Sequence, residues 1–118
     1  MAIQLYFRKN DFDTQKIRRF FKERRISVQE VDLTRHAPGA RELKLFASKA
    51  GGYAALVDAK AKGEKADYVR QLSLEDVIEQ ELLESPALIK TPIVRDGNKV
   101  LFGFDEKALG EWLKGVGK

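Results

Sequence analysis

The stretch ESPALIKTPIVRDGNKVLFGFDEKALGEWL, residues 84–113, changes structure four times. Ser85-Pro86 closes a preceding helix, because a proline cannot continue one. Pro92–Arg95 then reads as a strand, with the proline at its start, where a missing N–H does no harm. Asp96-Gly97-Asn98 is a hairpin signal, and Val100–Phe102 is the returning strand. Asp105 is a helix cap, and Ala108, Leu109, Trp112 and Leu113 recur at helical spacing on the face of a last helix that should meet the core. The chain therefore ends β-β-α.

Working toward the N-terminus, a helix over Leu74–Leu83 turns Val77, Ile78 and Leu82 inward, with Ser73 as its N-cap. Residues 50–70 are weakly patterned, with a break at Gly51-Gly52 and short helical pieces after it. Pro38-Gly39 opens another helix, in which Leu43, Phe46 and Ala47 repeat at helical spacing. Before it, Ile3–Phe7 reads as a strand, a helix runs from about Asp13 to Arg24 with Ile17, Phe20 and Phe21 on its buried stripe, and Ser27–Asp32 reads as a second strand. Asn10 and Asp13 are spaced to cap that first helix, and an early carboxylate suits its dipole. A right-handed crossover makes the first two strands parallel. The expectation is an α/β fold in one domain, residues 1–118, ordered β-α-β, a helical insertion at about 39–88, then β-β-α. Ile3–Phe7 should be central in a mixed four-stranded sheet, with the hairpin as its antiparallel edge. A chain of 118 residues is ample for one such core.

Composition removes whole classes of chemistry. There is no cysteine, so disulfides, thiolate metal sites and thiol nucleophiles are excluded. The single histidine, His36, stands in a loop-like stretch and reads as a surface residue; it cannot make a multi-histidine metal site. The four serines, Ser27, Ser48, Ser73 and Ser85, have no nucleophile-elbow glycines around them. The sequence calls for no metal and no cofactor. No apolar run approaches the roughly 18 residues of a membrane span. The first apolar run ends at Phe7 and charges follow, unlike a signal peptide, so the expected location is the cytoplasm. The net charge of +4 is uneven: residues 1–50 hold 12 Lys and Arg against 6 Asp and Glu, while residues 51–118 hold 10 against 12. The N-terminal half could thus face an acidic partner.

With this order of elements in place, the sequence resembles the arsenate reductase (ArsC) and Spx family of thioredoxin-like proteins over nearly its whole length. The residue 84–113 stretch carries most of the likeness, through its Thr91-Pro92-Ile93 step, its hairpin, Gly103-Phe104 and the last helix. The opening LYFRKNDFDTQKIRRFF, residues 5–21, matches in layout but not in chemistry. The resemblance places the family's redox thiol at Asp11 and the second cysteine of its CxxC members at Thr14. It places the arginines that hold the oxyanion at Lys60, Thr91 and Phe104, of which only Lys60 keeps a positive charge. It also implies a cis bond between Thr91 and Pro92, facing the turn around Phe12. In related proteins an extended peptide or glutathione lies in the cleft beside that bond.

Without a thiolate there is no nucleophile for arsenate or a disulfide, and a carboxylate at Asp11 repels an arriving oxyanion. Asp11 and Asp13 read first as helix-capping carboxylates. DFDT, residues 11–14, departs from phosphatase Asp-x-Asp motifs because Arg8-Lys9-Asn10 separate it from the strand. Arg18, Arg19 and Lys22 form a basic face on the first helix, either simply solvated or a surface for a partner. The function expected is a non-catalytic, protein-binding or regulatory role. The resemblance allows RNA polymerase as the partner, by analogy with Spx members. The alternatives are a reductase-related or glutathione-dependent enzyme that takes its thiol from outside, and a nucleic-acid binder acting through the basic helix. Nucleic acid is disfavoured, because basic residues alone give only non-specific affinity.

Overall fold

The computed structural model describes residues 3–8 and 12–116, with side chains as far as Trp112. Strand β1 (Ile3–Phe7) leads to helix α1 (Phe12–Glu23) and strand β2 (Val28–Asp32). Helices α2 (Ala40–Ala50), α3 (Glu64–Arg70) and α4 (Glu75–Glu84) follow, with single 3₁₀ turns at Ala54–Leu56 and Pro86–Leu88. Strands β3 (Ile93–Asp96) and β4 (Lys99–Phe102) and helix α5 (Glu106–Val116) complete the chain. The sheet order is β2-β1-β3-β4. β1 runs parallel to β2, from Ile3↔Val28 to Phe7↔Asp32, and antiparallel to β3, from Ile3↔Asp96 to Tyr6↔Ile93. This is the expected β-α-β, insertion, β-β-α order, on a mixed sheet with β1 inside it.

The period-two alternation of the strands decides which helices cover which face. Ile3 and Leu5 of β1 and Val94 of β3 are buried against Ile17, Phe20 and Phe21 of α1 and Leu109 of α5. Tyr6 and Ile93 point the other way, into a core filled by Leu43 and Phe46 of α2, Ala66 and Val69 of α3, and Ile78 and Leu82 of α4. The insertion is therefore the second face of the sheet. Tyr6 ties that face together: its ring meets Phe46 edge-on at 4.9 Å, and its hydroxyl donates to Glu42 of α2. Glu42 also accepts from Arg95 Nη1 at 3.3 Å and, through its other oxygen, from the Gly39 amide at 3.2 Å. Burial, with the Glu42 carboxylate next in weight, pushes the Tyr6 phenol up to about 12.

Several expected boundaries move. β2 starts at Val28 rather than Ser27, and α1 runs Phe12–Glu23 rather than from Asp13 to Arg24. The hairpin is tighter than read: Asp96 pairs with Lys99, leaving Gly97-Asn98 as a two-residue turn with Gly97 at φ +61°. Ser73 is not the cap of α4. The helix begins one residue later, after an extended Leu74 with no side-chain cap, and draws on Glu75 and Asp76 in its first turn. Glu75 meanwhile accepts the amides of Tyr53 (2.6 Å) and Ala54 (3.1 Å), holding the 3₁₀ turn after the Gly51-Gly52 break. Asp105 does cap α5, its Oδ1 accepting the Ala108 amide at 3.0 Å. Asn10 and the Leu113 side chain lie outside the described residues.

Candidate functional site

The ends of three elements meet where β1 gives way to α1. The Thr91-Pro92 bond before β3 is cis, as expected. The Pro92 carbonyl accepts the Gly103 amide at 2.8 Å, which draws the end of β4 alongside. Asp13, in the first turn of α1, has its Oδ2 3.9 Å from where a Cβ on Gly103 would stand. The helix start, the end of β4 and the proline step thus lie side by side. Phe12 is 85% exposed at its edge, and Thr14 is 1% exposed, its hydroxyl unpartnered among the described residues. Asp11 falls outside the described residues.

Arg8, the residue after β1, ties the proline step to the insertion. Its Nε donates to Thr91 Oγ1 at 3.0 Å, its Nη1 to the Ala87 carbonyl at 2.8 Å, and its Nη2 to Asp58. Both ends of the Arg8–Asp58 pair are mostly shielded, with side chains 24% and 14% exposed. Asp58 is held from other sides too: its Oδ1 accepts the Lys60 amide at 2.8 Å, and its own amide donates to Leu88 O at 2.8 Å. Burial by itself would raise the Asp58 carboxyl; the Lys60 amide and the Arg8 guanidinium outweigh it and hold the group below its usual range. Below this turn, Arg70 Nη2 reaches the carbonyls of Asp58 (3.2 Å), Ala59 (3.3 Å) and Ala61. The insertion thus delivers a carboxylate to the guanidinium that holds Thr91.

This geometry changes the weight of several residues singled out in the sequence. Thr91 and Pro92 are brought together with Arg8. Lys60 contributes its backbone amide, while its side chain is on an exposed turn. Phe104 packs edge-on against Phe20 at 6.4 Å, as an apolar residue under α1. Arg18, Arg19 and Lys22 all lie on α1, in different surroundings. Arg18 makes a two-pronged pair with Glu30 (3.0 and 2.8 Å) and lies over the Phe7 ring at 4.7 Å. Lys22 shares a cleft with Arg18, whereas Arg19 borders a different one with Phe20 and Phe104. Asp58 was missed as a site residue, because it sits in the weakly patterned segment and its partner is 50 positions away. Among the described residues, no group of histidines and carboxylates is arranged to hold a metal, and no helix is long and apolar enough to cross a membrane.

Fold and site together define a thioredoxin-like protein with a cis Thr91-Pro92 bond and no cysteine. The chain belongs to the ArsC family, whose family model matches residues 54–112. Its fold is similar to that of a putative arsenate reductase from Yersinia pestis, with a TM-score of 0.79 at 20% identity, over 93% of this chain and 99% of that one. An arsenate reductase from Vibrio cholerae gives 0.77 at 22% identity, covering 94% and 97%. A putative ArsC family related protein from Bacteroides fragilis gives 0.77 at 20% identity, covering 97% of each chain. No curated protein matches the chain.

Proposed function

We propose that the protein is a non-catalytic member of its family that binds an extended segment of a protein partner in the Thr91-Pro92 cleft. The role is regulatory, of the Spx kind, and cytoplasmic, with RNA polymerase as the first partner to test. One observation carries this reading: Arg8, beside the cleft, spends all three guanidinium nitrogens on Thr91, Ala87 and Asp58. An oxyanion arriving there meets a cation that a shielded carboxylate already neutralises, and no cysteine exists to attack it. Binding an extended peptide needs neither a thiol nor a free cation, since main-chain groups supply the affinity.

A second reading, an enzyme that borrows the thiol of glutathione, draws on the buried hydroxyl of Thr14 in the first turn of α1, which has no partner among the described residues. Assaying arsenate reduction with glutathione and glutaredoxin supplied separates the two. The proposal expects turnover at the uncatalysed level and co-purification of a specific protein from native lysate. That protein should be lost when Thr91 is replaced by a bulky residue. Turnover above background would support the enzyme instead.

A further inference from the structure

Helix α1 ends in a way its sequence does not favour. The Arg25 amide donates to Lys22 O at 3.1 Å and the Ile26 amide to Phe21 O at 3.0 Å, the paired bonds of a Schellman closure. Ile26 packs against the apolar cluster that holds Phe21, a contact that frequently accompanies the motif. The residue at the turn of such a closure takes a left-handed backbone and is usually glycine. Here it is Arg25, at φ +55°, the one non-glycine residue with positive φ among those described. Cations in the last turn suit the helix dipole, but Lys22 and Arg24 already provide them. The dipole gives no reason to hold an arginine in a conformation that glycine adopts without strain.

The side chain at this turn borders an open cleft of about 510 Å³ between α1 and β2. Its floor is apolar, formed by Leu5, Phe21, Ile26 and Val28. On its rim the Arg18–Glu30 pair cancels internally. Lys22 and Arg25 have no ion-pair partner among the described residues, so the rim keeps two uncompensated positive charges. β2 is an edge of the sheet, paired only to β1. Its outer backbone groups are open to a further strand.

We propose that the α1–β2 cleft docks an extended acidic segment of a partner protein. The segment pairs with the outer edge of β2. It sets one apolar side chain over Leu5, Phe21, Ile26 and Val28 and directs its carboxylates to Lys22 and Arg25. Side chains of an added strand alternate between faces, so every second residue enters the cleft. The site is at the opposite end of the sheet from the proline cleft, since Val28 pairs with Ile3 while Ile93 pairs with Tyr6. It stands whether or not the proline cleft binds a peptide.

The test uses a fluorescein-labelled heptapeptide alternating glutamate and leucine, with a lysine-leucine version and decanoate as controls. Anisotropy gives affinity and amide shifts give location. The glutamate peptide should bind saturably, weaken with salt and shift amides from Lys22 to Glu30, leaving Thr91 and Ile93 unmoved. Arg25→Gly should leave the melting temperature unchanged or higher while weakening the peptide about tenfold, and Lys22→Glu should do at least as much to affinity. Loss of affinity with retained or improved stability separates a binding role from a structural one. The proposal is overturned by no saturable binding, shifts confined to the Thr91 region, unchanged affinity in Arg25→Gly, or equal binding of the lysine peptide. Decanoate displacing the peptide would assign the cleft to small apolar carboxylates and reject a protein segment.

Discussion

Arg8 and Asp58, 50 residues apart, form an ion pair beside the Thr91-Pro92 step. Arg8 follows the central strand and Asp58 comes from the insertion, so the pair joins the two parts of the fold. Within the pair the Asp58 carboxylate balances the Arg8 guanidinium.

Asp58→Ala should therefore do two things at once. It strips Arg8 and the Lys60 amide of their acceptor, which should cost about 1–3 kcal/mol in urea denaturation. It also exposes an uncompensated guanidinium, so sulfate and arsenate should stabilise the variant more than the parent. A variant that loses stability without gaining anion sensitivity would show that the pair is structural only.

The acid limb of stability should carry the same signature. The folded Asp58 carboxyl lies below its unfolded value of 3.8, so its contribution is complete above that value and is lost as pH falls through the folded one. Asp58→Asn should flatten this limb. Chemical denaturation at a series of pH values below neutrality measures it, and parallel curves for the two proteins would count against the assignment.

At high pH the sign reverses. The Tyr6 phenol is raised from 10.0 to about 12 in the fold. Its contribution is complete below 10 and disappears between those two values, as the unfolded chain ionises first. Tyr6→Phe should cost about 0.5–1.5 kcal/mol near neutrality through the lost Glu42 bond, and less as pH rises. Tyrosinate absorbance followed beside unfolding checks the order of events.

Asp11→Cys puts a thiol at the position the family resemblance assigns to the redox cysteine, one residue before Phe12 in the sequence. The helix terminus should bring that thiol below its free value of about 8.5, making alkylation by iodoacetamide fast at neutral pH. Arsenate reduction should still be absent, because Arg8 is engaged and the family resemblance puts Thr91 and Phe104 at positions where the reductases carry arginines. Robust reduction by this single variant would mean that those placements are wrong.

The architecture was legible because its signals are local and periodic. Ile17, Phe20 and Phe21 mark one face of α1, and Asp96-Gly97-Asn98 announces the hairpin. Element ends were less legible: Ser73 loses the capping role because α4 starts after an extended Leu74. The site was half legible. Thr91-Pro92 is a dipeptide signal, whereas Arg8, Asp58 and Ala87 meet only through the fold, across 50 and 79 positions. Arg18, Arg19 and Lys22 are close in sequence, but their surroundings differ: Glu30 pairs with Arg18, and Lys22 and Arg19 line different clefts.

The central claim is that the cleft has exchanged oxyanion chemistry for peptide binding. It is tested most directly by titrating arsenate, sulfate and glutathione separately into the protein while following the amides of Phe12 and Thr91. The account predicts saturable shifts of both amides with glutathione, as the simplest extended peptide, and no saturation with either anion. Tight arsenate or sulfate binding at these amides, with glutathione leaving them unmoved, would contradict it.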